Sequence, residues 1–163
     1  MTAVEPLTVG AFDALPAARA EELLREVCSA PRWAREVAAG RPYGSLTILQ
    51  AAAEGELAEE DLDAALAGHP RIGDRSATGT ARREQGAVAG APAQVLDALA
   101  AGNRAYEERF GHVYLVCASG RSAEDLLATL RARLGNDPAT ERRVALAELA
   151  AINRLRLGRV FGA

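Results

Sequence analysis

Residues Asp137–Leu157 read DPATERRVALAELAAINRLRL, the pattern of one long helix. Asp137 followed by Pro138 is a helix-start signal. The carboxylate can accept from free N–H groups, and proline at the first helical position has no N–H to leave unpaired. Leu149, Ile152 and Arg156 then fall at i, i+3 and i+7, on one face of a helix. Arg142, Arg143 and Arg154 do not share that face. Arg156 therefore interrupts an apolar stripe, and an inward guanidinium needs an anion, from protein or from substrate. The alternative is an end-of-helix arginine that snorkels and favours the helix dipole.

Outward from this helix the same grammar repeats. Ser122-Ala-Glu-Asp125 resembles a capping box with Asp in place of Glu or Gln, before the stripe Leu126, Leu127, Leu130 and Leu134. Pro92 opens a helix to about Arg109, with Val95, Leu96, Leu99 and Tyr106 inward. Thr8 caps a first turn through Leu15, and Pro16 opens a helix to about Ser29. Pro31 to Ala39 is a short helix closed by Gly40. Ser45 caps Leu46 to Ala53, and Glu59 to Ala67 is amphipathic, with Leu62 and Leu66 on one face. A further helix is expected from about Ala81 to Val88. Phe110 to Ala118, FGHVYLVCA, is rich in β-branched and aromatic residues and is not assigned to helix. The expected architecture is a single-domain, all-α bundle of roughly eight helices over residues 1–163.

Composition agrees and narrows the chemistry. Hydrophobic residues make up 49%, charged residues 25% and aromatics only 4%, an alanine-rich balance that favours helix. The net charge of −3 argues against a nucleic-acid groove, which needs a basic stripe. No apolar run approaches the ~18 residues of a membrane span. MTAVEPLTVGAF lacks the basic and apolar regions of a signal peptide, so a cytoplasmic protein is expected. Cys28 and Cys117 lie far apart without a C-x-x-C, which favours two reduced, buried thiols. All 19 basic side chains are arginine. With no lysine, neither a pyridoxal phosphate Schiff base nor a P-loop can form. His69 and His112 are the only histidines, so a zinc site is not expected. The chemistry left is acid–base and electrostatic work by His, Glu, Asp and Arg, without a metal or cofactor.

Gly68 to Gly79, GHPRIGDRSATG, reads as a loop. In it Pro70 restricts the backbone of His69 and can hold an imidazole at the lip of a pocket. A solvated loop histidine is the other reading. Glu84 and Gln85 follow about 15 residues on. A glutamate beside an imidazole would fix its tautomer and raise its pKa, whereas a lone Glu is more often a solvated helix face. Asp74 and Arg75 read as a pair or as solvated charges. His112 reads as packing, as do Asn103, Tyr106 and Phe110, which share a helical face with one or two buried hydrogen bonds.

The order of these residues carries a resemblance. Trp33, Arg41-Pro42-Tyr43, His69-Pro70-x-Ile72-Gly73, Arg83-Glu84-Gln85-x-Ala87, Asn103-x-x-Tyr106-x-x-x-Phe110-Gly111, Glu141 and Ile152-x-x-Leu155-Arg156-Leu157 run through nearly the whole chain. Together they resemble the OHCU (2-oxo-4-hydroxy-4-carboxy-5-ureidoimidazoline) decarboxylase family. The resemblance implies an all-α, cofactor-free enzyme, commonly a homodimer, acting on a small-molecule intermediate of urate degradation and releasing CO2 to leave (S)-allantoin. It implies that His69, Glu84 and Arg156 are catalytic. It also implies that Pro70, Gln85 and backbone groups of Tyr114, Leu115, Val116, Cys117 and Ala118 bind substrate. Ala81 stands where the family usually has a substrate-binding serine, with Thr80 or Ser76 as nearby hydroxyls. Two rivals stay open: a related decarboxylase acting on another ureido or hydroxy acid, and a non-enzymatic helical interaction module with a large exposed apolar patch.

Overall fold

The computed structural model describes residues 7–67, 69–73, 84, 86, 88 and 90–162. The described residues hold eight α-helices, one 3-10 turn and no strand. They fall into two compact units, Met1–Gly68 with Ala150–Ala163, and His69–Leu149.

The first unit contains α1 (Val9–Asp13), α2 (Ala17–Val27), α3 (Pro31–Ala39), α4 (Leu46–Glu56) and α5 (Leu62–Ala67). Local signals start these helices. Thr8 Oγ1 accepts from the Ala11 N–H at 3.0 Å, and Ser45 Oγ from the Ile48 N–H at 3.3 Å. α4 runs three residues beyond the expected Ala53, because its end is anchored from outside: Arg32 Nη2 donates to the Glu56 carbonyl at 2.6 Å. The expected helix Glu59–Ala67 divides into a 3-10 turn, Glu59–Asp61, and α5. Asp61 drives the division by accepting from the Ala58 N–H at 2.9 Å while pairing with Arg32 at 2.7 Å. Phe12, Leu24, Trp33, Leu49, Leu62, Leu157 and Phe161 are buried in this unit, and the Trp33 indole donates to the Ala53 carbonyl at 2.8 Å.

The second unit contains α6 (Ala93–Phe110), α7 (Ala123–Arg133) and the first part of α8 (Pro138–Phe161), whose turns from Ala150 belong to the first unit. Ser122 Oγ accepts from the Asp125 N–H, and Asp137 accepts from both the N–H and the hydroxyl of Thr140. α6 stops at Gly111, whose left-handed φ of 78° closes the helix on the Glu107 carbonyl. Residues 113–118 that follow are in neither helix nor strand. Gly102 lets α6 approach α7, since a Cβ there would meet Leu130 Cδ2 at 2.6 Å. Ile72, Val88, Leu99, Tyr106, Tyr114, Leu126 and Leu130 form the core of this unit.

The expected helix over Ala81–Val88 lies outside the described residues apart from Glu84, Gly86 and Val88. Asp74, Arg75, Ser76, Thr80, Ala81 and Gln85 lie outside them as well. Among the described residues the exposed large hydrophobic side chains are Ile48 and Leu155, and no helix is long and apolar enough to cross a membrane.

Candidate functional site

His69 and Pro70 are half-buried and non-helical at the start of the second unit. The residues after them are pinned to α6. Arg71 Nε lies 2.9 and 3.2 Å from the two oxygens of Glu107, and Asn103 Nδ2 donates to the Ile72 carbonyl at 2.9 Å. The Ile72 side chain is buried and Gly73 has a left-handed φ of 85°. An open cavity of about 430 Å³ lies here, lined by Arg71, Ile72, Gly73, Ala100, Asn103, Arg104 and Glu107.

The segment Tyr114–Ala118 belongs to the same unit. Tyr114, Leu115, Val116 and Ala118 are buried, and Cys117 is half-buried rather than buried as its sequence context suggested. Three of the segment's backbone groups already serve the protein. The Leu115 carbonyl accepts from Arg133 Nη1 at 2.7 Å, the Cys117 N–H donates to Glu148 Oε2 at 3.0 Å, and the Ala118 carbonyl accepts from the Arg121 N–H at 3.1 Å. Burial pushes the Cys117 thiol pKa up. The carboxylates of Glu148 and Glu84 add to that rise, against a backbone hydrogen bond at Ser119.

A buried polar cluster holds the segment from behind. Glu141 is fully buried and accepts from Tyr106 Oη at 2.5 Å, Arg133 Nε at 2.7 Å and Asn136 Nδ2 at 3.0 Å. The Arg133 guanidinium stacks over the Tyr114 ring, 4.9 Å from its centroid. Burial, with the Glu141 carboxylate at its hydroxyl, pushes the Tyr106 phenol far above its ordinary range, and burial pushes Tyr114 up to about 12. His112 packs edge-on to Tyr106, with 5.5 Å between ring centroids, as a packing residue should.

Arg156 belongs to the first unit. It is half-buried, and its Nη1 donates to the Val27 carbonyl at the end of α2 at 2.8 Å. Its face partners Leu149 and Ile152 are buried, as the helical phase required. Cys28, next to Val27, is buried. Burial raises its thiol pKa, against the Asn153 amide and the Arg156 charge. Among the described residues no group of three or more His, Cys, Asp or Glu could hold a metal ion.

The second unit therefore brings His69, Pro70, Glu84 and Tyr114–Ala118 into one compact body, and Arg156 is carried by the first. Sequence reasoning missed Arg133 and Glu148. Arg133 had a detectable signal, because it continues the Leu126–Leu130 stripe at i+7 and i+3, as Arg156 continues its own. Glu148 had none, because its partner is a backbone N–H more than thirty residues away.

Comparison with known proteins adds the family. A family model described as OHCU decarboxylase matches residues 13–158. The uric acid degradation bifunctional protein TTL of Arabidopsis thaliana is 28% identical over 152 residues, covering 86% of this chain and 47% of that protein. The 2-oxo-4-hydroxy-4-carboxy-5-ureidoimidazoline decarboxylase of Amia calva is 46% identical over 55 residues, covering 34% of this chain and 31% of that protein. The chain thus spans less than half the length of these curated relatives. A crystal structure of OHCU decarboxylase in the presence of (S)-allantoin matches with a TM-score of 0.76 at 26% identity, covering 88% of this chain and 99% of that one. A crystal structure of (S)-allantoin synthase shares the fold, with a TM-score of 0.68 at 20% identity over 93% of this chain and 53% of that one.

Proposed function

The chain belongs to the OHCU decarboxylase family, and from that membership we propose that it converts 2-oxo-4-hydroxy-4-carboxy-5-ureidoimidazoline to (S)-allantoin and CO2 in urate degradation. The observation that carries the reading is the family match over residues 13–158, within which His69 stands on a pinned loop in one unit with Glu84 and Tyr114–Ala118. A homodimer in the cytoplasm completes the proposal.

The substrate suits a chain without lysine. Its carboxylate sits on a carbon that bears a hydroxyl and adjoins electron-withdrawing ring atoms. When the C–C bond to the carboxylate breaks, the electron pair left behind delocalises into the ring, so no metal or electron-sink cofactor is required. His69, oriented by Glu84, handles a proton at the hydroxyl or delivers one to the new carbanion. Delivery from one face gives one allantoin enantiomer. Arg156 orients an anionic part of the substrate through charge-assisted hydrogen bonds. Gln85 and backbone groups near Tyr114–Ala118 bind ring carbonyls and ureido nitrogens. Cys117 N–H already faces the Glu148 carboxylate, so a ligand that uses this donor displaces Glu148.

The test generates the intermediate in situ from ¹³C-labelled urate with urate-oxidising and hydrolysing enzymes, and follows it by NMR. Accelerated loss of the intermediate with matching CO2 release is expected on adding the protein. Decay at the spontaneous rate would refute the activity.

A further inference from the structure

We infer that Asn103 is a positioning residue for His69, acting through the carbonyl of Ile72; the inference rests on the reading of His69 as the proton-handling group. Asn103 lies within the eighteen-residue helix α6 and is only 3% exposed. Asparagine is a poor choice there for packing alone. It is less favourable in a helix interior than leucine, and a buried amide must be paired. Leu99, one turn earlier on the same helix, shows what the core takes when only volume matters. The Asn103 amide is half used: Nδ2 donates to Ile72 at 2.9 Å, while Oδ1 has no hydrogen-bond partner among the described residues. The feature that leucine could not supply is the donor to the loop.

That donor is one of several fixings packed into four residues. Pro70 fixes its own φ and restricts His69. Arg71 is held by both oxygens of Glu107, one turn beyond Asn103 on α6. The Ile72 side chain is buried at 7% exposure, and its carbonyl is held by Asn103. Gly73 turns the chain away in the left-handed region. The backbone leading back from Ile72 to the imidazole therefore takes its position from α6. Proton transfer is sensitive to such placement, and a shift of ~1 Å can cost about 10²-fold in rate.

Asn103→Leu keeps the branched shape and removes the donor. The expected result is a loss of about 10–100-fold in kcat, with KM and Tm little changed. Glu107→Ala, at a partly exposed site, is expected to give a smaller loss of the same kind. Leu130→Val supplies a core change in the same unit, expected to lower Tm and leave kcat unchanged. The chain has two histidines, so each imidazole can be followed by NMR, with His112→Gln assigning the pair. In Asn103→Leu, the His69 imidazole resonances are expected to move while those of His112 stay in place. Wild-type kcat with unmoved His69 resonances in Asn103→Leu would overturn the inference. So would a loss of activity that simply follows Tm and moves both histidines. Full turnover in His69→Ala would instead refute the underlying catalytic reading, and the His69 resonances in Asn103→Leu would then decide the Asn103 contact by themselves.

Discussion

In the proposed reaction His69 is the acid–base group, and its replacement by alanine is expected to lower kcat by about 10²–10⁴-fold without loss of fold, measured as turnover of the in situ intermediate. Arg156 is expected to act on binding. Hydrogen bonds to charged groups contribute about 1.5–3 kcal/mol, so Arg156→Gln should lower kcat/KM by roughly 10–100-fold. Part of that loss would come from releasing the Val27 carbonyl, which Arg156 also holds. A thermal melt of the same variant reads that part separately. Ala81 stands where the family resemblance implies a substrate-binding serine. If the substrate is the family's, Ala81→Ser should lower KM; an unchanged or higher KM would favour a related ureido or hydroxy acid as the substrate.

At the scale of elements, the chain is most readable where the cause is local. Thr8, Ser45, Ser122 and Asp137 each cap the helix they were expected to start. Helix ends were less readable because distant groups set them. Arg32 extends α4 to Glu56, and α8 continues past Gly158 because Phe161 packs on Phe12, with ring centroids 4.9 Å apart. Asp137 gives the capping a pH signature. Hydrogen bonds from Thr140 lower its pKa below 3.8, so its contribution is present above that value and is lost as pH falls through the folded pKa. Melting temperatures of wild type and Asp137→Ala should therefore converge in acid. The Arg133–Glu141 pair couples α7 to α8. Arg133→Met strands a buried carboxylate and should cost about 3–5 kcal/mol by denaturant titration; adding Glu141→Gln should recover part of it.

The whole molecule follows from an alanine-rich, aromatic-poor composition, and the all-α class was readable from helical periodicity alone. The division into two units was not, because it depends on contacts between residues far apart in sequence. The candidate site divides in the same way. Pro70 and the phase of Arg156 were visible in the chain, whereas the hold of Asn103 on Ile72 and of Glu148 on Cys117 exists only in the fold. Burial raises Tyr114 to about 12, so its contribution to stability is full below its ordinary value of 10.0 and is lost as pH rises through the folded value. Alkaline destabilisation above that ordinary value should weaken in Tyr114→Phe. Sedimentation should find two copies associated if the homodimer proposal holds. Circular dichroism of the in situ reaction checks the proposed stereoselective decarboxylation directed by His69. The expected signal is that of (S)-allantoin, growing in proportion to protein concentration and lost in His69→Ala. Racemic allantoin formed at the protein-free rate, or an undiminished (S)-signal from His69→Ala, would contradict it.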